Sequence, residues 1–294
     1  MQITVLGSGT PTPSLQRMSS GYRLKIGDET VILDCGPGTY HRMMEAGSSV
    51  TDVSTILISH LHYDHCLDYQ RFVLTHWDQS GSRPSDLKVH GPAPLERITR
   101  QLFSPDGVWG PDLTARTEHK MSLDIHAQRG GSLPRPWPSP QVSEIAAGRT
   151  IDCGAWTATP FEVRHAQPYL DCYGYRIRSD AGDLVYFGDT GPFDGLAEHA
   201  KGADVLISMC HYLSGTQLSE TYATSCMGHC ELAETAARAG VRNVVVTHIT
   251  KQFDRPGIRE RVVSDMAKIF GGNIFFSHDL MDIPIGNPNP MILD

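Results

Sequence analysis

The sequence predicts an α/β fold in four layers, with two β-sheets packed face to face and helices on both outer surfaces. Short runs rich in Val and Ile recur between glycine-marked turns in both halves of the chain. Helical patterns follow several of these runs. The early runs are joined by turns as short as Gly27-Asp28-Glu29, which suit hairpins better than the long crossovers of a single parallel sheet.

In chain order, strands are expected at 2–6, 22–26, 31–34 and 55–59. A helix at 40–46 should follow Gly36-Pro37-Gly38, and another at 95–103 should follow Pro92, because Pro and Gly punctuate helix starts. The second half repeats the alternation. Strands are expected at 173–178, 184–188, 204–208 and 243–247, with helices at 232–239, ending at Gly240, and 258–270, ending at Gly271-Gly272. Between about residues 78 and 150 the texture changes to Gly, Pro, Ser and scattered charge, as in Pro134-Arg135-Pro136-Trp137-Pro138-Ser139-Pro140. This reads as a loop-rich insertion near the site mouth, within a single domain spanning 1–294. Trp77, Trp109 and Trp137 would give it apolar contacts.

The chain has 294 residues, 40% of them hydrophobic, enough for a substantial core. Its formal charge of -8 and the lack of a basic tract disfavour an extended grip on a nucleic-acid backbone. Seven cysteines without a CxxC pair point to reduced thiols rather than a disulfide framework. Met1 leads directly into the strand-like Gln2-Ile3-Thr4-Val5-Leu6, and no run of 18 apolar residues occurs, so a cytoplasmic protein without a membrane span is expected.

The chemistry is concentrated in Ser59-His60-Leu61-His62-Tyr63-Asp64-His65, directly after the apolar Ile56-Leu57-Ile58. At a strand end, side-chain alternation aims His60 and His62 to one side, while Asp64 and His65 start the next turn and reach a second point nearby. One turn can thus serve two metals. Imidazole with carboxylate suits zinc and, less selectively, manganese or iron. Further donors stand at strand ends: His165 after Phe161-Glu162-Val163-Arg164, Asp189 after Val185-Tyr186-Phe187-Gly188, and His248 after Val244-Val245-Val246-Thr247. His60, His62 and His165 then form one set and Asp64, His65 and His248 another, with Asp189 as the bridge. His76, His90, His119 and His126 lack such spacing. The Ser8-Gly9-Thr10 turn is a weak anion-binding signal.

These residues resemble the metallo-β-lactamase superfamily, whose His-X-His-X-Asp-His motif matches 60–65. Segments resembling its ribonuclease Z-like branch are Leu6-Gly7-Ser8-Gly9-Thr10-Pro11, Leu33-Asp34-Cys35-Gly36-Pro37-Gly38-Thr39, Gly174-Tyr175-Arg176 after His165, Gly188-Asp189-Thr190, His229 before an Ala-rich helix, and Thr247-His248. The resemblance implies an αββα sandwich with two zinc ions between its sheets. It also exposes departures. Ribonuclease Z enzymes pair the histidine matching His229 with a glutamate whose equivalent here is Met209, and the Gly-Leu expected after the metal motif is Cys66-Leu67-Asp68-Tyr69. A Gly-Pro-rich arm with basic residues is also missing.

The expected function is therefore a dinuclear metal-dependent hydrolase, cleaving a phosphodiester or similar small ester with a metal-bridging hydroxide. Two alternatives stand beside it: a transfer-RNA 3′ endonuclease of the ribonuclease Z type, and a non-catalytic metal-binding or regulatory module. Asp64 would orient the nucleophile or take its proton. His229 would protonate the leaving group or bind the oxyanion. His211 would orient a ring or bind substrate in place of the missing glutamate. The expected partner is a small-molecule ester, with nucleic acid disfavoured, no membrane, and a homodimer by analogy with soluble enzymes.

Overall fold

The computed structural model describes residues 1–81 and 86–285. The first half contains β1 (Gln2–Gly7), β2 (Gly21–Ile26), β3 (Glu29–Cys35), α1 (Thr39–Glu45), β4 (Val53–Leu57), α2 (Tyr63–Cys66), α3 (Tyr69–Gln79), β5 (Lys88–Gly91), α4 (Leu95–Phe103), α5 (Gly110–Glu118), α6 (Lys120–Gln128) and β6 (Gln141–Glu144). The second contains β7 (Ile151–Asp152), β8 (Trp156–Glu162), β9 (Tyr173–Ser179), β10 (Gly182–Tyr186), α7 (Leu196–His199), β11 (Val205–Met209), α8 (Glu220–Ser225), α9 (His229–Ala239), β12 (Asn243–Thr247), α10 (Ile258–Ala267), β13 (Asn273–Phe276) and β14 (Asp282–Ile283).

Two seven-stranded sheets result, ordered β14-β1-β2-β3-β4-β5-β6 and β13-β12-β11-β10-β9-β8-β7. Each is mixed: hairpins join β1 to β2 and β2 to β3, and β8 to β9 and β9 to β10, while β3 to β6 and β10 to β13 run parallel. The alternation of side chains accounts for the layering. Val31 and Leu33 of β3 face the other sheet, whereas Ile32 faces α1 and α3. In β12, Val245 faces inward and Val244 and Val246 face α9 and α10. The expected αββα sandwich is the observed one.

The 78–150 segment is more ordered than its composition suggested. Its loops alternate with regular elements: β5 and β6 extend the first sheet and α4, α5 and α6 lie between them, although residues 82–85 fall outside the described part. Gly110-Pro111 opens α5, because the first turn of a helix needs no donor from Pro. Indole N–H groups anchor the segment. Trp77 donates to the Pro136 carbonyl at 2.8 Å, Trp109 to Gln70 Oε1 at 2.9 Å, and Trp137 to the Phe103 carbonyl. The α4 helix faces the metal-motif turn across an apolar cavity of about 220 Å³ that includes Leu61, Leu67, Leu95 and Ile98. No helix among the described residues is long and apolar enough to cross a membrane.

One backbone contact sets the motif turn in place. A Cβ added at Gly36, just after β3, would lie 1.9 Å from the Asp64 carbonyl oxygen, so only glycine lets α2 sit this close. Gly36→Ala is expected to destabilise the protein by about 1–3 kcal/mol, as overpacking does. Urea denaturation monitored by circular dichroism measures it; an unchanged midpoint would mean that the turn does not bear on Gly36.

Candidate metal centre

Beyond β4 the chain reaches an extended His62 and then makes the single turn α2, which carries Asp64 and His65 to a second point while the His60 and His65 rings stay 4.2 Å apart. The two pairs thereby face different neighbours from the second sheet. His60 Nε2 lies 3.0 Å from His62 Nδ1, and His165 Nε2, arriving after β8, lies 3.2 Å from the same atom. The His165 Nδ1–H donates to the Ser225 carbonyl at 2.8 Å, which leaves a lone pair on Nε2. His60 Nδ1 faces Ser59 Oγ, whose own proton goes to Asp34, so His60 also has its lone pair on Nε2. Two lone pairs therefore converge with the His62 nitrogen on one point.

The second set lies alongside. His248 Nε2 is 3.3 Å from Asp64 Oδ2 and 3.2 Å from Asp189 Oδ2. His65 Nε2 is buried without a hydrogen-bond partner, with Asp189 Oδ2 and Asp64 Oδ2 at 3.4 and 3.6 Å. Asp189 Oδ2 also stands 3.7 Å from His165 Nε2, so this one oxygen touches both sets. Three groups of donors can hold a cation here: His60, His62 and His165; His60, His65 and Asp189; and Asp64, His65 and His248. Ligands at about 2.0–2.2 Å from a tetrahedral zinc lie roughly 3.3–3.5 Å from one another. The observed separations match, and the orphaned His65 nitrogen gains a partner if a cation is bound. The residues fit a divalent metal.

Asp34 is the functional residue that the motif analysis passed over. Completely buried at the end of β3, it accepts Ser59 N–H and Ser59 O–H at 2.7 Å each, His65 Nδ1–H at 2.7 Å and Tyr186 O–H at 2.6 Å. Its φ of 55° lies in the left-handed region, unusual outside glycine. The available signal was a carboxylate closing a fully apolar strand, Val31-Ile32-Leu33. Two more tyrosines cross the seam between the sheets: Tyr175 O–H donates to the Ile58 carbonyl and Tyr22 pairs with Thr247, both at 2.8 Å.

The electrostatics favour cation binding. Burial holds His60 well below its usual pKa, reinforced by His65, and burial with the nearby His165 lowers His62, so both rings stay neutral and keep lone pairs. Burial opposes charge on His65 as well, but Asp189 and Asp34 outweigh it and hold that pKa well above normal. Burial would raise Asp189; His248 and His65 overcome it and keep the carboxylate ionised. Asp64 is likewise lowered by His248 and His65 against its burial.

The remaining expected site residues divide. His211, after β11, joins the cluster: its Nδ1 lies 3.0 Å from His248 Nδ1, and burial, then His248, push its pKa down to about 4. His229 does not join. It opens α9, accepts the Ser214 N–H at Nδ1 (3.0 Å), and turns Nε2 toward Cys230 Sγ at 3.5 Å and Asp265 at 3.8 Å. The reason is local. The Ser214 N–H and Asp265 hold the ring, while Met209, where the resemblance led to a glutamate, offers only a sulfur that accepts the Thr190 N–H. The Ser8-Gly9-Thr10 turn is not a free anion cradle either, since Ser8 N–H donates to Asp279 and Gly9 N–H to the Met18 carbonyl. His76, His90, His119 and His126 enter none of the donor groups.

A family model described as the beta-lactamase superfamily domain matches residues 29–249. A protein named Ribonuclease Z from Mycobacterium bovis (strain BCG / Pasteur 1173P2) is 30% identical over 291 residues, covering 97% of this chain and 98% of the relative. Among solved structures, the metallo-beta-lactamase fold protein YhfI from Bacillus subtilis superposes with a TM-score of 0.73 at 18% identity, covering 96% of this chain and 98% of that one. The human short-form tRNase Z follows with a TM-score of 0.67 at 18% identity, covering 98% and 100%.

Removing the Asp34 carboxylate would strand four buried donors on three residues. Asp34→Ala is expected to cost about 3–5 kcal/mol in the metal-free protein, as breaking a buried charged pair does, and Asp34→Asn less. Guanidinium denaturation with and without chelator provides the measurement. Equal midpoints for the Ala variant and the parent would show that the network carries no such energy.

Proposed function

The chain belongs to the beta-lactamase superfamily, and from that premise we propose that it is a metal-dependent hydrolase of phosphodiester bonds in small substrates, with zinc as its metal. The observation that carries this reading is the convergence of His60, His62 and His165 with Asp64, His65 and His248 about the single Asp189 Oδ2. Two divalent cations, when bound, lower the pKa of water toward neutrality and stabilise charge growing on phosphoryl oxygens. His60, His62 and His165 would hold one, Asp64, His65 and His248 the other, and Asp189 would tie the sets together despite cation repulsion.

The chain's own groups do the rest. Asp64 directs Oδ2 at His248, which leaves Oδ1 to orient the attacking water and receive its proton. Asp34 and Ser225 fix the tautomers of His65 and His165, and outer partners of this kind raise ligand basicity. In this arrangement His229 is a structural residue of the α9–α10 seam rather than a proton donor.

A small substrate is favoured by the formal charge of -8, and two arginines of the chain are already paired. Arg17 forks onto Asp254, and Arg42 bonds Glu45 and Asp279. Gripping a long phosphate backbone needs several unpaired cations. A second reading, cleavage of precursor transfer RNA, is favoured by the 30% identity across almost the whole length of a protein named Ribonuclease Z. Side-by-side turnover of bis-nitrophenyl phosphate and a precursor transfer RNA by the zinc-loaded protein decides between them. Hydrolysis of neither substrate would overturn both readings.

Asp189→Ala is expected to reduce turnover at least about 100-fold and to release metal, whereas His229→Ala should lose less than about tenfold, since only the former touches the reacting groups. Kinetics paired with metal analysis test this. Full activity in the Asp189 variant would remove the bridge from the mechanism, and a comparable loss in the His229 variant would return that histidine to it.

A further inference from the structure

We propose that His211 is a positioning residue that fixes the ring of His248 and offers an N–H to solvent, an inference that rests on the metal-centre reading above. The argument begins with how the other rings are held. His60 is anchored at Nδ1 by Ser59, His65 by Asp34, and His165 by the Ser225 carbonyl. In each case the nitrogen remote from the cluster donates its proton to an oxygen, so the nitrogen facing the cluster is the one that can offer a lone pair to a cation. His248 has no such oxygen. Its remote nitrogen, Nδ1, meets His211 Nδ1 at 3.0 Å, while Nε2 faces Asp64 and Asp189.

A contact between two imidazole nitrogens accommodates one proton. For His248 Nε2 to present a lone pair to a cation, the neutral ring must carry its proton at Nδ1 and donate it to His211 Nδ1. His211 then carries its own proton at Nε2. That atom has no protein acceptor among the described residues and is not among the buried unpaired atoms, so it is open to solvent as a hydrogen-bond donor.

His211 is itself rigidly held. Its N–H donates to the Met227 carbonyl at 2.8 Å, its carbonyl accepts from Gln252 at 2.8 Å and Thr250 at 3.3 Å, and its ring lies 5.9 Å from that of Tyr222. Rigidity is needed on this side, because His248 has a φ of 56°, a conformation that a side-chain-bearing residue keeps only when its surroundings dictate it. The following Ile249 N–H is pinned to the Ser8 carbonyl at 2.8 Å. Backbone and ring of His248 are thus fixed from opposite sides, by Ser8 and by His211.

The test compares His211→Ala, which removes acceptor and N–H, with His211→Asn, whose side-chain oxygen can still accept from His248. Zinc affinity of the purified protein is read by chelator competition, and the cobalt-loaded protein is read by its visible absorption. The Ala variant should bind the weaker of two zinc equivalents about 10–100-fold less tightly, the usual loss for an outer partner, with a shifted cobalt band. The Asn variant should recover affinity to within about threefold, again on that scale. If the Ala variant fails to fold, His211→Leu, equally bulky without an acceptor, takes its place. Unchanged affinity in the Ala variant, or an Asn variant no tighter than it, overturns the assignment. Affinities that follow the expected order without any diester hydrolysis would support His211 and defeat the hydrolase reading, so the two failures are separable.

Discussion

The structure turns on one buried carboxylate. Asp34 closes a strand of the first sheet and receives hydrogen bonds from His65 and Ser59 of the motif turn and from Tyr186 of the second sheet. A carboxylate with no exposure is costly unless its oxygens are saturated by donors. Meeting that requirement joins the sheets directly beneath the cluster and sets the rotation of His65 at the same time. Tyr175 and Tyr22 repeat the pattern on either side, each a ring in the inter-sheet core with its hydroxyl reaching the opposite sheet.

Above this seam, ionised Asp64 and Asp189 sit within 4 Å of His65 and His248. Without metal, these contacts compensate burial through charge on His65, which its carboxylate neighbours hold strongly basic. At His60 and His62 burial and the neighbouring rings outweigh the pull of Asp189, and both stay neutral. The cluster is thus asymmetric: one side resembles a bare-nitrogen pocket and the other an ion-pair network. A divalent cation suits the first by filling a gap between lone pairs, and the second by displacing a proton.

Much of this was legible in the residues. The unbroken apolar runs Val31-Ile32-Leu33 and Val244-Val245-Val246 foretold strands buried on both faces, and the donors at 60–65, 165, 189 and 248 all follow strands, where a sheet holds them rigidly. What could not be read lay in tertiary context. The α5 and α6 helices carry weakly patterned sequences and are stabilised by neighbours such as Asp78, which binds Arg116 and Arg135, rather than by their own periodicity. Asp34 was visible only as part of a resembling segment, because its partners at 59, 65 and 186 come together through folding.

The contrast between His229 and His211 shows why a motif position does not transfer its role by itself. His229 keeps its place at the start of α9, but a ring is aimed by what bonds it, and here Ser214 and Asp265 draw it to the seam between helices. A thioether at position 209 cannot act as a charged acceptor; it takes a backbone N–H and seals the core instead. Two residues later in the same strand exit, His211 reaches His248. With a thioether at 209, the polar contact of this segment with the cluster is made by His211, a ring able to present an N–H where a carboxylate would offer only acceptors.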